Sequence, residues 1–113
     1  MDKGPDLRAM KKARNFLAGK IIKTPVLELS STKIKDLLPT EANVRMKLEL
    51  FQQTGSFKSR GALLALSKLT KSQKEKGVIA VSAGNHALAV SWAAMCAKTN
   101  AKVVMLESSD PVR

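Results

Sequence analysis

The chain has 113 residues, of which 44% are hydrophobic and 26% are charged. This length and composition are typical of one globular domain with a modest core, and they exclude a disordered chain. The sequence has no apolar run of the roughly 20 residues that a membrane-spanning helix needs, and its first stretch lacks the apolar segment of a signal peptide. We therefore expect a cytoplasmic protein without membrane contact.

Basic residues outnumber acidic residues by twenty to nine, which gives a formal net charge of +11. This balance suits a polyanion partner, and the run "RAMKKAR" with Lys20 and Lys23 is able to form a basic helical face. However, the sequence has only three phenylalanines and one tryptophan, and it has no recognisable nucleic-acid-binding motif. We therefore interpret the lysines as a solvated surface and expect no nucleic-acid partner.

Cysteine and histidine occur once each. Cys96 is the only cysteine, which excludes an internal disulfide and a metal site built from several cysteines. It lies in the apolar stretch "WAAMCA", which predicts a buried structural thiol. His86 is the only histidine, and taken alone it is more typical of a packing residue than of a base or a ligand. We expect no metal site.

The first half of the chain predicts helices and short extended segments. Residues 6–19 place apolar side chains at helical steps and end at a glycine. The stretch "KTPVLELS" predicts a short strand. A short helix follows, with a serine at its start and Pro39 at its end. The stretch "NVRMKLEL" alternates strictly, which predicts a half-buried strand.

The second half predicts a helix and then a strand, a helix and a strand. The first helix is expected over "FKSRGALLALSKL". "GVIAVSA" is an uninterrupted apolar run, which is typical of a parallel strand covered on both faces. "NHALAVSWAAMCAKT" is apolar nearly all round and predicts a buried helix, and "KVVMLES" predicts a second apolar strand. This order forms a right-handed βαβ crossover, so the predicted class is α/β with a parallel sheet.

The turn "SAGNHA" joins the first of these strands to its helix. Backbone N–H groups at a helix start have no intrahelical partner and carry the positive end of the helix dipole. The turn is therefore a candidate site for a phosphate or a carboxylate. The alternative is a tight structural turn in which Asn85 caps the helix. The sequence has neither the G-x-G-x-x-G pattern of dinucleotide sites nor the G-K-[ST] of phosphate-binding loops.

Two motifs together resemble a known enzyme family. "KLELFQQTGSFKSRGA" and "VSAGNHALAVSWAA" look like the beginning of a fold-type II pyridoxal-phosphate enzyme, which has a tryptophan synthase β-like architecture. Within that family they resemble the threonine/serine dehydratase and serine racemase branch, from about Leu7 to Glu107. The resemblance implies pyridoxal 5'-phosphate as cofactor and an amino acid as substrate. The implied reaction converts L-threonine or L-serine to a 2-oxo acid and ammonia.

The resemblance assigns the cofactor to three residues. Lys58 would bind the cofactor aldehyde covalently and, once released, would remove the substrate α-proton. Burial against Phe57 and the nearby backbone is expected to disfavour the charged form of the lysine amine. Phe57 would also support the cofactor ring, and Asn85 would reach the ring hydroxyl.

The resemblance assigns the substrate carboxylate to the turn. Backbone amides would hold it, and the expected substrate-binding residues are Ser82, Ala83, Gly84, Asn85 and His86. Ser82 and Asn85 would add side-chain hydrogen bonds, whereas His86 would lie behind the residues in contact. Thr54 and Ser56 would shape the approach to the lysine, and Arg60 would anchor the helix rather than touch the substrate.

Several positions separate the branches of this family. The sulfhydrylase and synthase branches usually have G-N-T, and an aspartate after the cofactor lysine, where this chain has G-N-H and Ser59. Racemases have a serine that acts as acid and base on the second face of the substrate at the position of Ala83. An alanine cannot transfer a proton, so the resemblance favours dehydration. Leu88 and Ala89 replace the more usual glutamine and glycine, so the substrate pocket is expected to differ in shape.

The resemblance covers only the leading part of such an enzyme. The glycine-rich phosphate cup would lie beyond residue 113, so we expect an incomplete chain that is inactive alone. We also expect this chain to be marginally folded or self-associated through the helix containing Trp92. Residues 1–70 are expected to belong to the large cofactor-binding domain and 71–113 to the smaller α/β domain. The complete enzyme is expected to be a homo-oligomer. The alternatives are a non-catalytic interaction fragment and a serine racemase-like activity.

Overall fold

The structure is a computed structural model that describes residues 4–29, 36–39 and 41–109. The helix expected before Pro39 lies largely outside the described residues. In chain order the elements are α1 (Leu7–Leu17), β1 (Val26–Glu28), β2 (Arg45–Lys47), two 3₁₀ turns (Glu49–Phe51 and Gln53–Gly55), α2 (Lys58–Ser67), α3 (Lys71–Lys76), β3 (Val78–Val81), α4 (Asn85–Ala97) and β4 (Ala101–Val104).

Helix α1 lies where the sequence predicts it, but most of its apolar face is open. Asp6 caps the helix start, because Asp6 Oδ1 accepts a hydrogen bond of 2.7 Å from the Ala9 N–H. The chain leaves the helix through Gly19, whose φ of +74° suits glycine. Leu17 is buried, whereas Met10 is exposed. The helix therefore packs on α2 mainly through its C-terminal end.

Strands β1 and β2 form an antiparallel ladder in which Val26 lies opposite Lys47. The extended segment predicted around β1 is confirmed. The half-buried strand predicted over "NVRMKLEL" is wrong in length and in burial, because β2 has three residues and all three are exposed. The alternation therefore separates the two faces of a two-stranded ladder that is open to solvent.

Strands β3 and β4 are parallel and are joined by α4, as the sequence predicts. Their register pairs Val81 with Val104. Gly77 precedes β3 with a φ of +81°, and a Cβ at this position would lie 2.8 Å from the carbonyl oxygen of Asn100. Glycine is therefore required where the chain enters the parallel sheet.

Helix α3 was not predicted. It has six residues and begins with a capping box, in which the side chains of Thr70 and Gln73 bond to each other's backbone N–H groups. The T-x-x-Q pattern in the sequence indicates this helix start, because it is one form of the capping-box motif.

The core lies between α2 and α4, and small side chains dominate the α4 side. Ala89 and Ala93 of α4 have no exposed surface, so α2 approaches this helix closely. The buried apolar cluster consists of Leu17, Ala62, Leu63, Leu66, Ala80, Ala89, Val90, Ala93 and Ala94. Trp92 is half-buried against this cluster. The cluster draws residues from both sides of the predicted domain boundary at residue 70, and that boundary stays a prediction.

The expected burial of β3 on both faces is wrong for this chain. Ile79 and Val81 are 72% and 77% exposed, because α4 covers only the face of the sheet that carries Ala80. Helix α4 is likewise buried only on the side that meets α2 and β3, and Met95 on its opposite side is exposed. The apolar pattern predicted the elements correctly but not the layers that cover them.

The buried thiol expected at Cys96 is also wrong, because this cysteine is exposed. Cys96 lies in the last turn of α4, where the contact with α2 opens into a cavity of about 520 Å³ that also touches Phe16 and Ser67. Across the described residues, no helix has the length and apolar character needed to cross a membrane.

Candidate active site

Lys58 is the first residue of α2 and lies outside the stripe of the helix that meets α4. That stripe consists of Ser59, Ala62, Leu63 and Leu66. Lys58 is exposed, and Phe57 is 63% exposed. The expected burial of the lysine amine against Phe57 is therefore wrong for this chain. The reason is geometric, since the one-residue offset from Ser59 turns Lys58 away from the core.

The turn before Lys58 is held by the buried hydroxyl of Ser59. Thr54 and Gly55 have φ values of +62° and +68°, and a threonine rarely adopts this conformation without support. The Thr54 hydroxyl lies 2.8 Å from Ser59 Oγ, and Ser59 Oγ donates to the carbonyl of Gln53. Ser59 has no exposed surface, so the residue next to the lysine supports the turn and is not a contact for a ligand.

A second serine of this turn is also buried, but its hydroxyl lacks the hydrogen bonds that Ser59 makes. Ser56 is buried, and its Oγ has no hydrogen-bond partner among the described residues. An unpaired buried hydroxyl costs about 1–3 kcal/mol. Ser56 lies two residues before Lys58, so the turn that presents the lysine carries a polar group that the described residues leave unsatisfied.

Arg60 anchors the first turn of α2, as the family resemblance implies. Its Nε donates to Glu49 Oε2 and its Nη2 to Glu49 Oε1, each over 2.7 Å. This bidentate pairing with Arg60 lowers the pKa of Glu49 to about 2 against the opposing effect of partial burial, and a bond from Thr24 contributes. The same bond raises the pKa of Arg60 above its ordinary value. The guanidinium is therefore committed to Glu49 and not to a substrate.

The turn after β3 leaves the start of α4 without a side-chain cap. Gly84 occupies the N-cap position and Asn85 is the first helical residue, so the alternative in which Asn85 caps the helix is wrong. The Gly84 N–H donates to Ser82 Oγ over 3.3 Å. A Cβ added to Gly84 would meet no other part of the chain within 4 Å. The uncapped start of α4 therefore has room beside it for an anion.

The five predicted substrate-binding residues lie together in this turn. Ser82, Ala83 and Gly84 are half-buried, whereas Asn85 and His86 are exposed in the first turn of α4. The interpretation of His86 as a packing residue is therefore wrong for this chain. Exposure leaves the side chains of Asn85 and His86 accessible to a ligand.

The two helix starts, at Lys58 and Asn85, lie at the same end of the α2–α4 pair. Near the other end, Ser67 of α2 and Ala97 of α4 line one cavity. In addition, the 3₁₀ turn Gln53–Gly55, which leads into α2, contacts α4. The helices therefore run in the same direction. The site therefore combines the exposed primary amine of Lys58 with the uncapped N-terminus of α4.

The chain belongs to the family of pyridoxal-phosphate dependent enzymes, because the model of that family matches residues 17–113. The sequence is 42% identical to phenylserine dehydratase from Ralstonia pickettii over 109 residues, which is 96% of this chain and 32% of that protein. It is also 51% identical to the catabolic L-threonine dehydratase of Staphylococcus aureus over 70 residues, which is 62% of this chain and 20% of that protein.

The fold is that of the fold-type II enzymes of this family. Maize serine racemase superposes with a TM-score of 0.78 at 34% sequence identity, over 95% of this chain and 32% of that protein. The chain thus spans about a third of the length of the relatives that it matches over most of its own length. The recognised family and the α/β architecture are confirmed.

The described residues fit pyridoxal phosphate. Its aldehyde requires a primary amine, which Lys58 offers on an exposed side chain. The exposed amide of Asn85 is able to bond a ring hydroxyl, and the uncapped start of α4 suits the carboxylate of a substrate. Within the described ranges, no three His, Cys, Asp or Glu side chains are grouped to hold a metal ion.

Two residues of this region were missed in the sequence. Glu49 lies in the alternating stretch "KLEL", where it has the pattern of an exposed strand residue. In the sequence Ser59 distinguishes only the branch of the family, although it is the most deeply buried polar residue of the turn. Both act through contacts with residues five or more positions away, and such contacts leave no periodic signal.

Proposed function

We propose that this chain contributes the cofactor lysine and the carboxylate-binding turn of a dehydratase that acts on β-hydroxy-α-amino acids. The observation that carries the proposal is that Lys58 and the turn Ser82–His86 lie at one end of the α2–α4 pair, in a chain of the pyridoxal-phosphate family. L-Threonine and L-serine are the leading substrates. A relative named for phenylserine supports the wider class, because phenylserine has the same β-hydroxyl.

Each group has a role that follows from its position. Lys58 would bind the cofactor aldehyde and later accept the substrate α-proton on its free amine. When bound, pyridoxal phosphate supplies an electron sink for the carbanion that this proton loss creates. The amides at the start of α4 would hold the substrate carboxylate and orient the α-carbon toward Lys58.

The net reaction balances without another reactant. The α-proton and the β-hydroxyl leave as water, and a second water then replaces the amino group. The products are a 2-oxo acid and ammonia. Phe57 is exposed at the start of α2 and is available to pack against the cofactor ring, while Asn85 would bond the ring hydroxyl.

Replacing the lysine tests the proposal. In the full-length polypeptide, Lys58→Ala should abolish the absorbance band of the lysine-bound cofactor and lower 2-oxo acid formation by at least about a hundredfold. Lys68→Ala is the matched control, because Lys68 is an exposed lysine at the other end of α2. If Lys58→Ala kept both the absorbance band and the turnover, the proposal would be overturned.

Racemisation is the second candidate activity, and the likeness to maize serine racemase favours it. Ala83 counts against it, because alanine cannot transfer a proton on the second face of the substrate. We expect Ala83→Ser to raise formation of the D-amino acid relative to 2-oxo acid. Chiral analysis that shows no D-amino acid above the unchanged enzyme would contradict the placement of Ala83 on that face.

The proposal includes two features of the complete enzyme, a homo-oligomeric state and a cytoplasmic location. Sedimentation of the purified full-length polypeptide tests the first, and fractionation of the source cells tests the second. A monomer would contradict the first feature, and recovery outside the cytoplasmic fraction would contradict the second.

A further inference from the structure

The first turn of α2 is tied to the segment before β1 by a group of charged and polar side chains. Glu49 binds Arg60 in α2 through two hydrogen bonds of 2.7 Å and accepts a third, also 2.7 Å, from the hydroxyl of Thr24. Lys47 lies 3.8 Å from Glu49 and donates to the carbonyl of Thr24 over 3.1 Å. We call these four residues the Glu49 clamp.

The Glu49–Arg60 pair of the clamp is well shielded from water, whereas Lys47 at its edge is exposed. Thr24 is buried, and the side chains of Glu49 and Arg60 are only 17% and 29% exposed. A bidentate pair fixes the direction of the guanidinium as well as its distance. Because Arg60 lies two residues after Lys58, the clamp acts on the same helical turn that carries the lysine.

A second tie joins the segment before β1 to Gln52, three residues after Glu49. The Gln52 side chain accepts from the Ile22 N–H over 2.9 Å and donates to the Ile22 carbonyl over 2.8 Å. Gln52 is buried. The backbone at 22–24 is therefore held at Ile22 by Gln52 and at Thr24 by the clamp, and within the clamp Arg60 itself belongs to the first turn of α2.

We infer that Glu49 is a positioning residue for Lys58, which acts by holding Arg60 and thereby fixing the first turn of α2 in front of the start of α4. This inference rests on the proposed function. It differs from a general contribution to stability, since Glu49 holds the turn of α2 that carries the lysine amine. A displacement of about 1 Å in a reacting group is able to lower a rate by about a hundredfold.

The inference is tested by the reaction of the amine itself, without reliance on turnover. Full-length polypeptide is mixed with pyridoxal phosphate for a fixed time and reduced with borohydride, and mass spectrometry measures the labelled fraction of each lysine. We expect Glu49→Gln to slow the labelling of Lys58 by about tenfold or more, while labelling of Lys68 stays unchanged. Glu75→Gln is the matched control, because Glu75 is exposed on α3.

A second variant keeps the test decisive if Glu49→Gln does not fold. Arg60→Lys preserves the charge but not the two-pronged geometry, and we expect it to slow labelling of Lys58 by about threefold to tenfold. Circular dichroism at the labelling temperature selects the folded variants. Labelling of Lys58 at the unchanged rate in the folded variants would overturn the positioning role and leave the proposed function standing. No preference for Lys58 over Lys68 in the unchanged protein would overturn both.

Discussion

The contact between α2 and α4 and the outer face of β3 have similar apolar sequences but opposite surroundings. In the contact, Ala89 and Ala93 have no exposed surface, whereas on the outer face Ile79 and Val81 are more than two-thirds exposed. The chain therefore supplies its own partner for the helices that begin at Lys58 and Asn85. It supplies none, among the described residues, for the outer face of its parallel sheet.

This difference separates the helix pair, which the chain packs by itself, from the parallel sheet, which it leaves partly open. The helix pair that presents the candidate site is closed by local contacts, because α2 and α4 lie within 40 residues of each other in the chain. The parallel sheet is built from the two short strands β3 and β4, and the described residues cover it on one face only. Parallel strands are usually buried on both faces, so the exposed face of β3 is a surface on which a further layer of structure is able to pack.

The largest expected effect comes from overfilling the helix contact. Ala93→Leu adds three heavy atoms where no surface is exposed, and we expect it to lower the free energy of unfolding by about 2–3 kcal/mol. Ala65→Leu is the control, because Ala65 is exposed on α2 and the change there should stay within about 0.5 kcal/mol. Urea denaturation measures both. Equal losses in the two variants would show that the contact is not tightly packed.

The Glu49 clamp should make stability depend on pH. The pKa of Glu49 is lowered from 4.5 to about 2 in the folded chain, so its contribution is complete above the unfolded value and is lost as the pH falls from about 4.5 toward 2. Allowing for solvent screening, the loss amounts to about 1–2 kcal/mol. We expect Glu49→Gln to show a weaker loss than the unchanged chain between pH 5 and 2.5. Identical pH profiles in denaturation would contradict the ion pair.

The two serines of the turn before α2 should respond in opposite directions. Ser59→Ala removes buried hydrogen bonds to Thr54 and Gln53, and we expect it to lower the free energy of unfolding by about 1 kcal/mol. Ser56→Ala removes a buried hydroxyl that has no described partner, so it should be neutral or slightly stabilising. Thermal melts of the two variants, compared with the unchanged chain, decide the matter. A larger loss for Ser56→Ala than for Ser59→Ala would reverse this assignment.

The smallest effect on stability is expected on the outer face of β3. Val81→Lys should change the free energy of unfolding by less than about 0.5 kcal/mol, because this side chain is 77% exposed. The same change should reduce self-association of the isolated chain in sedimentation, since it places a charge in an exposed apolar patch. Ala80→Lys is the contrasting variant and should lower the free energy of unfolding, because Ala80 is buried against α4. An unchanged association state in Val81→Lys would place the contact elsewhere, for example on α4.

Apart from the short helix α3, the order of the described helices and strands was predictable from the sequence, whereas their burial was not. Periodicity identifies α2, β3 and α4 because it reflects which residues share a face. It does not reveal whether another layer lies against that face, so the predicted burial of β3 was wrong. The prediction that apolar surface stays open is confirmed. On α4, however, Met95 is exposed, whereas Trp92 is half-buried.

The candidate site shows the same limit. Lys58 and Asn85 are predicted as site residues because two short patterns together resemble a family, and this assignment stays a prediction. The residues that support them, Ser59, Glu49 and Gln52, were not predicted. They act through contacts that depend on how the chain folds back on itself. Such contacts join residues whose separation has no fixed value, so only the structure identifies them.

The most direct test is a crystal structure of the full-length polypeptide grown with pyridoxal phosphate and reduced with borohydride. We expect a covalent bond between Lys58 Nζ and the cofactor, with the Asn85 side chain in contact with the ring and the turn Ser82–His86 beside it. A cofactor attached to another lysine, or one bound at a distance from the start of α4, would contradict the central claim that the two helix starts form one site.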